Sequence, residues 1–117
     1  MAAPNIVNVT TITGKTAVLA VTTSATAIVT NSAASNKVFK INALYVANVD
    51  GTNAADITID LFRSSTAYKI VNTVSVPADA TLDVISKAIY LEEGDALRLT
   101  ASANSDLEAI CSYEEIS

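Results

Sequence analysis

The sequence predicts an all-β fold, a single-domain antiparallel β-sandwich of jelly-roll or Greek-key type spanning residues 1–117. Three observations carry that expectation. Apolar and polar residues alternate in eight or nine short runs, the period of a strand with one buried face. Clusters of Gly, Asn, Asp and Ser separate the runs, and none has a helical period. Half of the chain is hydrophobic, yet aromatics make up only 5% and tryptophan is absent. The apolar mass is therefore Ala, Val, Ile and Leu among many Thr and Ser, a mixture suited to pleated surfaces.

In chain order, Ala2-Ala3-Pro4 reads as a short leader, and residues 1–12 as an N-terminal arm or edge strand with Ile6, Val7, Val9 and Ile12 as its apolar positions. Thr13-Gly14 reads as a break, followed by strands over Lys15–Val21 and Ala25–Thr30 and a polar loop over Asn31–Asn36. Lys37–Val49 is the longest expected strand. Strict alternation puts Phe39, Ile41, Ala43, Tyr45, Ala47 and Val49 on its apolar face. Asp50-Gly51-Thr52-Asn53 then reads as a hairpin turn into Ala55–Arg63, where Ile57, Ile59 and Leu61 are expected inside and Asp56, Thr58 and Asp60 outside. Ser64-Ser65 turns the chain into Thr66–Val74, and Pro77 marks the next turn. Val76–Ser102 is read as strand, acidic corner and strand, a hairpin with Glu92-Glu93-Gly94-Asp95 at its tip. Leu107–Tyr113 is the last expected strand, with Glu114–Ser117 as an acidic tail.

Charge and composition exclude several function classes. The net charge is −5, and only seven Lys and Arg are present. With no basic cluster to neutralise phosphates, direct nucleic-acid binding is not expected. The chain has no histidine, which removes the commonest general base and transition-metal ligand. No apolar run approaches the ~20 residues of a membrane helix, and no basic region followed by an apolar one predicts a signal peptide. Charged residues are 16% of the chain against about 25% in ordinary domains. Such a surface is expected to be covered in part by copies of itself or by a partner.

Glu92, Glu93 and Asp95 lack the spacing of a calcium loop and read as a solvated turn. Asp56 and Asp60 lie ~13 Å apart on one strand face, too far to share a proton, and read as solvated. Ser24, Ser64 and Ser65 have no histidine to activate them. Gly14, Gly51 and Gly94 are too dispersed for a phosphate loop. The lone Cys111 reads as a small buried hydrophobe. Phe39, Tyr45, Tyr68 and Tyr90 read as core or interface anchors rather than a sugar platform. No catalytic, cofactor-binding or metal residue is expected, nor any cofactor.

From about Phe39 onward the chain resembles small virion structural proteins of tailed bacteriophages, especially marine ones. The residues that carry the likeness are the expected hairpin after Ala43, the VPADATLDVI run, IYLEEGDALRLTAS and the terminal SYEEIS. The resemblance implies a non-enzymatic capsid decoration (cement) protein, or a neck or tail accessory protein, present in many copies. It implies a homo-oligomer, a trimer by analogy with other cement proteins, bound to the major capsid protein or other virion proteins and located in the virion after synthesis in the host cytoplasm. It assigns no functional residue. A receptor- or carbohydrate-binding module at a tail or fibre is the alternative, since fold does not choose between these tasks.

Overall fold

The computed structural model describes residues 4–117, so residues 1–3 of the expected arm lie outside the described residues. The chain forms β1 (Ile12–Ala20), β2 (Thr26–Thr30), β3 (Val38–Asn48), β4 (Ala55–Arg63), β5 (Thr66–Val76), β6 (Thr81–Asp83), β7 (Ile89–Leu91), β8 (Ala96–Ala101) and β9 (Leu107–Ile116). Two antiparallel sheets pack as a sandwich. Sheet A has the order β1-β9-β3, with β6 and β7 each pairing β3, and sheet B has the order β2-β8-β4-β5.

The sandwich has a simple physical origin. Each strand supplies alternate β-branched or leucine side chains, which leave water together only when two sheets face each other. Ile41, Leu44, Val46, Leu107, Ala109 and Cys111 of sheet A meet Ile57, Ile59, Leu97 and Leu99 of sheet B in one buried cluster. Phe39 joins them, its ring 5.6 Å from that of Tyr113.

The strand boundaries differ from the sequence expectation at both termini. Residues 4–11 form turns and bends rather than a strand, closed by Thr10 and Thr11 amides donating to the Ser117 carbonyl at 2.8 and 2.9 Å. Thr13-Gly14 does not break the chain, because β1 runs straight through it. At the other end β9 continues to Ile116, which pairs with both Ile12 and Val38, so Glu114–Ile116 is strand and not tail.

Two larger corrections concern β3 and the turns. A register shift between Ile41 and Ala43 is a bulge, and a bulge exchanges the faces of the residues beyond it. Phe39 and Ile41 therefore point inward with Leu44 and Val46, while Tyr45 points out. Phe39 and Tyr45 do not share a face. Asp50–Asn53 and Glu92–Asp95 are also not hairpin tips: β3 and β7 lie in sheet A, β4 and β8 in sheet B. These turns carry the chain across the sandwich. Among the described residues only Ser64-Ser65 closes a hairpin between neighbours, with Arg63 paired to Thr66 and φ of 51° and 61° at the two serines, as a tight two-residue hairpin loop requires.

Candidate assembly surfaces

The outer face of sheet A is built by period-2 alternation: residues whose neighbours fill the core point to water. Register aligns Val18 with Ile110 and Ile110 with Tyr45. These three side chains form a row across β1, β9 and β3, and they are 74%, 48% and 43% exposed. The adjoining row is Ala20, Glu108, Ala47 and Thr81. The small side chains of Ala20, Ala47 and Thr81 leave a shallow, mainly apolar depression against the larger three, with Glu108 also in its lining. An apolar row of this kind gains free energy when another surface covers it, at roughly 25 cal/mol per Å² removed from water.

A second apolar depression lies at the opposite side of the sandwich, where β5 meets the β6–β7 segment. Leu61, Tyr68, Ile70, Val84, Ile89 and Tyr90 line it, with Lys69 and Lys87 at its margin. Both tyrosines and Ile70 are exposed. Three tyrosines therefore stand at the surface, and the aromatic anchored in the core is Phe39.

The polar candidates are engaged with their own chain. Asp95 is 1% exposed. Its carboxylate accepts from Arg63 Nε at 2.7 Å and from Nη2, and also from the Glu92 amide at 2.8 Å. Burial opposes the charge, but the Arg63 guanidinium and the Glu92 amide outweigh it and hold the carboxyl below its ordinary value. Glu92 bonds the same guanidinium at 2.9 Å, and Glu93 accepts from the Asn36 amide at 2.9 Å. Asp95 thus makes the corner an ion-paired joint, while Glu92 stays exposed to solvent as a turn residue. Gly94, at φ 89°, lets its amide reach the Asn31 carbonyl at 2.8 Å, a conformation glycine adopts without Cβ strain.

Asp60 likewise departs from the solvated reading, being 1% exposed. Arg98, its cross-strand partner, donates from Nε at 2.9 Å and lies over the Phe62 ring, 3.9 Å from its centroid. Guanidinium over carboxylate and ring covers that part of the outer face of sheet B. Asp56 remains partly exposed, with its amide bonded to Ser102 Oγ. Ser64 and Ser65 are turn residues, and Ser24 belongs to a bend held by Thr22 Oγ1. Cys111 is fully buried, and burial pushes its thiol up to about 11. Among the described residues no group of three or more His, Cys, Asp or Glu side chains converges on a metal-sized site, and no helix is long and apolar enough to cross a membrane.

Sequence reasoning missed two buried asparagines. Asn48 Nδ2 donates to the Asn53 and Val76 carbonyls, both at 2.9 Å, while its Oδ1 accepts the Asp50 amide. Asn31 Nδ2 donates to the Lys37 and Leu91 carbonyls, and its Oδ1 accepts Ser35 Oγ. Each staples crossover loops to a strand end. Nothing in a polar run such as NSAASN distinguishes the buried Asn31 from the exposed residues around it.

No protein-family model matches the chain, and no curated protein matches it. Solved structures share its fold. A chain from Bacillus endospore appendages, described as a novel family of disulfide-linked pili, aligns over 92% of this chain and 88% of its own at 16% identity and a TM-score of 0.53. A chain of the acid-stable capsid of Helicobacter pylori bacteriophage KHP30 aligns over 94% of this chain and 90% of its own at 7% identity and a TM-score of 0.54. At such identities the likeness is one of fold: an all-β, antiparallel two-sheet sandwich that also occurs in subunits of a pilus and of a phage capsid.

Proposed function

We propose that this chain is a non-enzymatic structural subunit of a tailed-phage virion, a decoration protein that stabilises the head by binding across capsid subunits. The observation that carries this reading is the exposed row of Val18, Ile110 and Tyr45 on the outer face of sheet A. A small domain gains nothing from leaving such a row in water, whereas a subunit of a larger assembly covers it. The absence of histidine from the whole sequence and the engagement of Asp60 and Asp95 by arginines point away from acid–base chemistry. The fold shared with a phage-capsid chain and a pilus chain adds support at the level of architecture.

The jelly-roll reading rests on the pairing pattern. If β6 and β7, which sit on the same edge of β3, count as one interrupted strand, the pairs are nested: β1 with β9, β2 with β8, β3 with β6–β7, β4 with β5. This nesting supports the reading of one long hairpin rolled into a jelly roll, an architecture also used in viral shells. Unlike the disulfide-linked pili of similar fold, this chain has one cysteine, buried in the core, so its assembly rests on non-covalent surfaces.

Rebinding to particles stripped of the protein tests the reading. Wild-type chain is expected to rebind and to raise the temperature at which the heads release DNA. Ile110→Asp and Tyr45→Asp, both at exposed positions, are expected to fold normally and to rebind at least about tenfold more weakly. Undiminished rebinding by both variants would remove this face from the account. The alternative, a neck, tail or fibre accessory module that binds a receptor or carbohydrate, is favoured by the exposed Tyr68 and Tyr90 beside the second depression. A glycan array on which Tyr90→Ala abolishes a specific signal would establish it.

A further inference from the structure

The free edge of β1 is built differently from the other long edge of the sandwich. Thr11 and Ser117 exchange N–H···O bonds at 2.9 Å, and β1 then runs along β9 without a register shift from Ile12 to Ala20. Alternation along an antiparallel ladder directs the amides and carbonyls of the odd-numbered residues toward β9. Those of Ile12, Gly14, Thr16, Val18 and Ala20 point the other way, where no strand among the described residues meets them. On the opposite side, β5 is interrupted by two register shifts against β4 and by a positive φ of 56° at Thr73. Such bulges spoil an edge for further pairing. β1 has neither bulge nor proline. Its one charged residue, Lys15, is held by Glu115 of the same chain at 2.9 Å.

The pattern on this edge is complementary to itself about Thr16. The exposed Val18 stands two residues after Thr16 and Gly14 two residues before it, on the same outer face. A Cβ added at Gly14 would meet nothing within 4 Å, so the fold of the single chain does not require glycine there. The missing side chain leaves a depression bordered by Thr16, Asn42, Ser112 and Glu114. An isolated glycine in a strand often marks a bulge, a tight bend or a close approach of another backbone, and β1 has no register shift that would make it a bulge. When an antiparallel copy of β1 is centred on Thr16, Val18 of each chain falls beside Gly14 of the other.

We propose that β1 pairs antiparallel with β1 of a second copy about a two-fold axis at Thr16, joining the two sheets A into one continuous sheet with each Val18 seated over the opposing Gly14. The inference rests on the assembly reading above and names a second copy of this chain as the occupant of the β1 edge. The contact is isologous, with the same residues serving both partners, and it builds even-numbered oligomers.

Disulfide trapping and sedimentation of the full chain test it. Directly opposed Thr16 residues in a hydrogen-bonded pair lie ~5.5 Å apart at Cα, within the span of a disulfide. Thr16→Cys is therefore expected to convert to covalent dimer on mild oxidation. Val18→Cys, displaced from its symmetry mate by about 13 Å along the strands, is expected not to. Wild type should sediment as a dimer. Gly14→Val should keep or raise the melting temperature and sediment as a monomer. A dimeric Gly14→Val, a Thr16→Cys that stays uncrosslinked, or a wild type that is monomeric at high micromolar concentration or trimeric would overturn the β1 pairing. Any of these in a protein still bound at capsid-lattice copy number overturns the pairing alone. A β1-paired dimer that is absent from particles overturns the decoration reading alone.

Discussion

Asp95 shows how a side chain that reads as solvent-facing becomes part of the framework. Its carboxylate joins the β7–β8 corner to Arg63 at the end of β4, so one group ties the two sheets at that point. Because its folded value lies below the ordinary one, the unfolded chain binds the proton more readily. The stabilisation is therefore present above the usual carboxylate range of about 4 and is lost as pH falls through the depressed folded value. Asp95→Asn keeps the shape and removes the charge. It is expected to cost about 2 kcal/mol in denaturant unfolding at neutral pH, a gap that closes as the pH is lowered below that range. A gap independent of pH would assign the effect to packing. The sequence could not foretell this role, because an acidic Gly-containing corner looks the same whether its carboxylates meet water or an arginine 32 residues away. The same holds at Asp60, where alternation correctly predicted the outward face but not Arg98 lying over it. Burial of Cys111, by contrast, followed directly from its place in an alternating run.

At the scale of elements, most strands were legible because period-2 patterning is local. Ile57 and Ile59 in β4 point inward as their alternation requires. Patterning failed at β3 because a bulge adds one residue and inverts the period beyond it; both faces of that strand carry apolar residues, so the slip leaves no trace in composition. It failed again at the turns. Asp50-Gly51 and Glu92–Asp95 mark chain reversals but do not record whether the next strand pairs with the last one or crosses to the other sheet. The hairpin between β4 and β5 has the less typical turn, Ser64-Ser65, with both residues at positive φ. Residues other than Gly, Asn and Asp adopt that region at a cost. Ser65→Gly is accordingly expected to stabilise the fold by roughly 0.5–1 kcal/mol in chemical denaturation, with the hairpin register unchanged. A loss of stability would show that the serine side chain contributes something its geometry does not reveal.

For the whole molecule, the nested pairing of first strand with last means that the sheets close only when both ends of the chain are in place. The contacts are overwhelmingly long-range, a topology that folds slowly because loop closure precedes reward. The same topology leaves a broad sheet face and an unpaired β1 edge at the surface among the described residues, where the low charged fraction leads to an expectation of surfaces covered by copies or a partner. Which surface was not legible: Val18, Ile110 and Tyr45 come together from three strands distant in sequence, and Tyr45 reaches the outside only through the bulge. The central claim, that this chain decorates a phage head, is tested most directly by locating and counting it in purified particles by cryo-electron microscopy. Hundreds of copies are expected on the outer shell at the joints between capsid subunits, with the Val18–Ile110–Tyr45 face covered. About six or twelve copies at the neck or tail, or a shell without the chain, would contradict it.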